Sequence, residues 1–275
     1  MLFAVPFYYL FHSRLCWRSE QVSWVLINPI PIFALTIAGG HLPIVWHSLM
    51  FVLGFVAWQA VYEIGYIEND AITVKGEAEP TLRLTDKEAA FIESRLGLIV
   101  ALRLLIAFLA LAAMTWIAFQ TQLQVHLIAF VAILVLSRIV FVVHNRIRNR
   151  FNVLTFGILS ATKYVALPVL LTEPHHMVLS IVTALSVFPI VRTIEHATKN
   201  KYGFWRLKAL VGVFAAFRVR YYLLVFLVFF AATIRLADRV AFCDSMVLLY
   251  LLVYRGTVWE IMRRKIIQAR EHIAF

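Results

Sequence analysis

At 275 residues, 62% of them hydrophobic and only 15% charged, the chain is too apolar to cover itself with polar surface in water, which excludes an ordinary soluble domain and makes lipid its solvent. A net charge of +11 in such a chain reads as Lys and Arg gathered on the cytoplasmic side of a membrane, not as a nucleic-acid surface. The two cysteines, Cys16 and Cys243, lie far apart and form no CxxC pair, so a disulfide framework and a thiolate metal site are both set aside.

Residues 1–21 are apolar at first but carry no basic stretch before the apolar run. Arg14 and Arg18 follow where a cleavage site would need small residues, so the segment reads as interfacial. Eight apolar segments follow at about 22–38, 45–64, 96–118, 124–143, 153–171, 176–191, 220–236 and 240–261, each near the length that crosses a bilayer core. A weaker stretch at 204–217 carries Arg206 and Lys208 and reads either as a ninth span or as an amphipathic surface helix. No linker or repeat divides residues 1–275, which form a single transmembrane domain. Trp17, Trp24, Trp46 and Trp259 near the span ends read as belt anchors.

The connections alternate in charge. Those at 39–43, 120–124 and 172–177 have no Lys or Arg. The polar loops at about 66–95, 144–152 and 192–206 hold most of the cations, which places these three and the N-terminus in the cytoplasm. Eight spans return the 263–265 cations to that side, whereas nine would violate the charge rule.

The first polar loop carries the strongest chemical signal. Glu63, Tyr66 and Asp70 recur at i, i+3 and i+7 and share one helical face, with Asn69 beside them and Glu77 beyond. Oxygen ligands clustered this way suit Mg²⁺, which takes one or two carboxylates plus substrate phosphates. Lys75 and Arg83 are placed to hold the remaining phosphate oxygens. A plain solvated loop is the competing reading. In the third loop Arg192, Glu195 and Lys199 repeat the spacing with His196 alongside, either as a second site or as an ordinary exposed Glu–Lys pair. The loop HNRIRNRFN, residues 144–152, sets Asn145 and Arg146 in a cationic patch for a diphosphate or anionic headgroups, or serves topology alone. Lys163 lies well inside an apolar span, where an ionisable group is a functional candidate by default. Arg103 and Arg138 raise the same question, with snorkelling or pairing to Glu63 as the alternative.

Two spans before an Asn-Asp-acid loop, two more before an Arg/Asn loop, and two more before an acid/base loop resemble the layout of the UbiA superfamily of intramembrane prenyltransferases. The resemblance covers most of the chain. Asn69–Asp70 matches the opening of the first aspartate-rich motif. Thr73 stands where its second aspartate would be, Glu77 is the nearest acid, Glu195–His196 replace the second motif, and Lys199 fits its trailing base. The resemblance implies an all-α bundle of eight to nine spans around a central lipid-facing cavity, in a bacterial inner membrane. It implies a transferase that moves a prenyl or phosphoribosyl group from a diphosphate donor to an acceptor, with a membrane lipid or polyprenyl chain as partner and no nucleic acid. In that reading Asp70, Glu77 and Glu195 hold Mg²⁺ and act with Lys199 in catalysis, while Asn69, Lys75, Arg83, Asn145, Arg146, Lys163 and Arg192 bind substrate. A transporter or flippase for an anionic or lipid-linked solute, or a non-catalytic membrane subunit, is the alternative.

Overall fold

The computed structural model describes residues 2–76, 80–147 and 149–264, and every regular element within them is a helix. In chain order these are α1 (Arg18–Ile27), α2 (Pro29–Gly39), α3 (Ile44–Ala71), α4 (Asp86–Thr121), α5 (Leu127–Arg146), α6 (Phe151–Leu171), α7 (Pro174–Val187), α8 (Pro189–Ala197), α9 (Trp205–Val211), α10 (Phe214–Leu236) and α11 (Arg239–Arg263). α1 continues into α2 and α7 into α8, which leaves eight stretches of 20 to 36 residues apolar enough to cross a membrane. The chain is an integral membrane protein with an all-α polytopic bundle. Phe108, Phe119, Ile128 and Ile234 stand exposed along α4, α5 and α10, as side chains solvated by lipid do.

The 204–217 stretch is not a ninth span. α9 has seven residues, about 10 Å of helix, and stops at Gly212, whose φ of +59° turns the chain into α10. Eight spans bring the ends of α3, α5, α8 and α11 to one end of the bundle, called here the basic end. α4 starts ten residues before the apolar run because Thr85 and Glu88 close a capping box around its first turn.

Proline breaks two spans where the fold needs polar backbone. Asn28 precedes Pro29, and Phe188 precedes Pro189; both leave the helical region, with φ of −119° and −148°. Pro31 has no N–H for the Ile27 carbonyl, and the Tyr164 hydroxyl takes its place, donating at 2.9 Å. Tyr250 donates to the Leu26 carbonyl at 3.0 Å. At the second break Tyr221 and Tyr222 donate to the Ser186 and Val187 carbonyls at 2.9 and 2.6 Å. A bilayer core has no water to satisfy freed carbonyls, so side chains must do it.

Residues 2–15 pack into the bundle against α3 and α4, with Tyr9, Leu10 and Leu15 buried. Irregular backbone at this depth needs donors, and Arg103 of α4 supplies them. Its guanidinium reaches the Phe3 carbonyl at 2.8 and 2.9 Å and the Val5 carbonyl at 3.1 Å. The same group pairs with Glu63 at 2.7 Å, both side chains fully buried. Glu63 also accepts from the Gln59 amide at 2.7 Å and the Leu10 N–H at 3.2 Å.

α5 lies close against α3 at Gly65, where a Cβ would overlap the Phe141 ring, and the Asn145 amide donates to the Gly65 carbonyl at 3.1 Å. Gly65→Ala therefore forces α5 outward, and a loss of about 1–3 kcal/mol in unfolding free energy is expected. Denaturant titration of the purified variant checks this; an unchanged midpoint would show that Phe141 can swing aside.

Candidate functional site

The basic-end halves of α1, α3, α5, α6 and α8 surround a cavity of about 180 Å³. By the measure in which a water occupies roughly 10–15 Å³, it has room for about a dozen, enough for a phosphate-sized headgroup. Its walls are aromatic and cationic at once. Trp24, Tyr62, Tyr66, Phe141 and Phe156 form the apolar part, and Arg14, Arg83, Lys163, Lys199 and Lys201 the charged part. No Asp or Glu is among its described lining residues. On α6 the lining runs from Asn152 to Tyr164, and on α3 from Tyr62 to Asn69. No described lining residue comes from 44–61 or 165–171, where Met50, Leu167 and Leu170 are packed shut. The cavity is thus confined to one half of the bundle.

Asn69, Arg83, Asn145, Lys163 and Lys199 come together at this cavity from all three polar loops and from mid-helix. Lys163 is the thirteenth residue of α6, about 18 Å along the helix from Phe151. Its ammonium lies 5.8 Å from the centre of the Trp24 ring, and no ion pair to it is seen among the described residues. Arg14 is the contribution that sequence reasoning missed. It comes from the N-terminal segment, stacks 3.8 Å over the Tyr66 ring and bonds both oxygens of Asp70 at 2.8 Å. The Glu63–Tyr66–Asp70 face of α3 is therefore occupied by residues 9–14: Tyr9 donates to Asp70 at 2.8 Å, and the Leu10 N–H to Glu63.

The remaining expected residues lie elsewhere. Lys75 is exposed and paired with Glu93 at 2.6 Å, and Arg146 is exposed at the end of α5. Arg192 and Glu195 pair with each other, and Arg218 of α10 closes on Glu195 with two bonds at 2.5 and 2.9 Å. Arg138 pairs with Glu68 at 2.8 Å, not with Glu63. Glu77 lies outside the described residues.

The described carboxylates do not fit Mg²⁺. Asp70 accepts from Arg14, Arg83, Tyr9 and Asn69, so a dication there would face two guanidinium groups within 3.3 Å of the carboxylate. Glu195 is fully engaged by Arg192 and Arg218. Among the described residues no three His, Cys, Asp or Glu side chains gather as a metal site. Asp70 and Glu195 hold cations of the protein itself. Burial raises the Tyr9 hydroxyl above its usual range, and the Asp70 charge adds to that. Burial pulls Arg14 down most strongly, but Asp70, Tyr66 and Tyr9 together hold the guanidinium above its ordinary value. Arg83 is lowered, by burial first and then by Arg14 beside it, with Asp70 at 3.3 Å acting the other way.

His196, which the sequence reading placed beside Glu195, also lines the cavity. Its ring stacks on Phe156 at 4.0 Å and 4°. His144, Asn152 and Tyr202 join it in a polar network that ties α5, α6 and the turn after α8 together. No family model matches the chain, and neither a curated protein nor a solved structure matches it.

Proposed function

We propose that this chain is a UbiA-like membrane transferase whose cavity receives the diphosphate of a prenyl or phosphoribosyl donor. The observation that carries the reading is the charge of the cavity wall: five cations, aromatic rings and no described carboxylate. A diphosphate would add negative charge to that of Asp70, which already pairs with Arg14 and Arg83, and the rings would seat the apolar part of an amphiphile. Lys163, Arg83 and Lys199 would bond the phosphate oxygens and stabilise charge that builds on the leaving group, since fixed cations in a dry site need no rearrangement as it forms. The positive-inside bias of the three loops supports a cavity that opens to the cytoplasm, in a bacterial inner membrane.

Lysine deep in a span also suits a transporter. Transport needs a charged path through the bilayer, and the packed half beyond Lys163 does not favour one.

Farnesyl diphosphate and inorganic diphosphate titrated into purified protein in lipid nanodiscs test the reading. Both are expected to bind, the prenyl compound more tightly because it also buries apolar surface. Absence of binding by either would overturn it.

A further inference from the structure

Building on the transferase reading, we propose that Nδ1 of His196 is the proton acceptor of the site, and that the acceptor substrate presents a hydroxyl group to it. The hydrogen bonds around the ring fix its tautomer. The Asn152 amide nitrogen donates to the His144 carbonyl at 3.1 Å and the Ile147 carbonyl at 2.9 Å, so its amide cannot be turned around and Oδ1 is its acceptor. The Tyr202 hydroxyl lies 2.5 Å from that Oδ1, too close for two oxygens without a proton between them, so Tyr202 donates there. Nε2 of His196 faces the same Oδ1 at 3.2 Å and the Tyr202 oxygen at 2.9 Å. Both are now acceptors towards it, and Nε2 must carry the hydrogen. Nδ1 is left with its lone pair, and among the described residues it makes no hydrogen bond.

A base must be positioned before it can act, and this one is held from two sides. Phe156 stacks on its face, and Asn152 and Tyr202 anchor its far nitrogen. The charged and titratable groups that face it are Lys199 and Lys201 on the turn after α8, Arg192 on α8 and His144 on α5. The positive charges among them oppose a proton on Nδ1, and a diphosphate bound in the same chamber would neutralise that opposition.

The step balances. An oxygen lone pair of the acceptor forms the bond to the donor carbon. The donor's carbon–oxygen bond breaks, with its electron pair leaving on the diphosphate. The hydroxyl proton moves to Nδ1, and the imidazolium so formed faces the diphosphate anion in the same chamber.

Diethyl pyrocarbonate, which acylates an imidazole nitrogen bearing a lone pair, reads this directly in the unmodified protein. In nanodiscs His196 should be labelled, as mapped by mass spectrometry. Inorganic diphosphate at about ten times its dissociation constant should slow labelling about tenfold by occupying the cavity. Failure to label His196 while the exposed His175 reacts would overturn the assignment. So would labelling that bound diphosphate leaves unchanged. The ¹⁵N spectrum of histidine-labelled protein, assigned with His196→Gln, should place the lone pair on Nδ1; the opposite tautomer overturns the proposal without touching the donor site. Absence of diphosphate binding by calorimetry overturns the donor site itself.

Discussion

Arg103→Met is expected to lower the unfolding free energy by about 3–5 kcal/mol, because removing one partner of a buried pair strands the other charge. The pair is fully buried, so no solvent is at hand to take over Glu63. Three donor bonds to the Phe3 and Val5 carbonyls go with it, and the N-terminal segment loses its main tether. The double variant Glu63→Gln, Arg103→Met removes the stranded charge. It should recover a large part of the loss, since a neutral pair needs no such compensation. Unfolding in mixed micelles, followed by tryptophan fluorescence, gives both values. Equal losses in the single and double variants would mean that the carbonyl bonds, not the ion pair, carry the stability.

Lys163→Met should weaken farnesyl diphosphate binding by about 10–100-fold, the size of one lost hydrogen bond to a charged group of about 1.5–3 kcal/mol. Methionine keeps most of the apolar stem, so packing against Trp24 survives. Arg14 cannot stand in for the missing charge, because Asp70 already holds it. Lys75→Ala is the matched control. That lysine is exposed and paired with Glu93, and its loss should change affinity by less than about twofold, as exposed ion pairs contribute little. Equal losses in both variants would place the bound anion at the loops and not in the cavity.

The eight spans were legible because each is a long apolar run, and a lysine such as Lys163 stands out in such a run without any knowledge of its neighbours. Asn69, Asn145 and Lys199 could be nominated from their loops, since the charge pattern places those loops at one end. Pairing was harder to read. The Glu63–Tyr66–Asp70 face has the spacing of a ligand set, but spacing cannot tell a metal from a guanidinium. Its true partners, Tyr9 and Arg14, are 61 and 56 residues from Asp70. Likewise His196 reads as a polar residue in a basic turn until Asn152 and Tyr202 are seen around it, 44 and 6 residues away. Proline at 29, 31 and 189 marks where helices break, but which tyrosines answer the freed carbonyls is settled only by packing.

The seat of residues 2–15 has a consequence for the order of assembly. The Phe3 carbonyl and the Arg103 guanidinium that holds it are 100 residues apart in the chain. At about 5–20 residues per second, a ribosome needs roughly 5–20 seconds to make Arg103 after Phe3 has left the peptidyl-transferase centre. Until α4 has been made and inserted, residues 2–15 lack the guanidinium that holds their carbonyls. The segment that supplies Arg14 to the cavity is thus fixed well after it is synthesised, and the cavity acquires that wall only after α4 is in the bilayer.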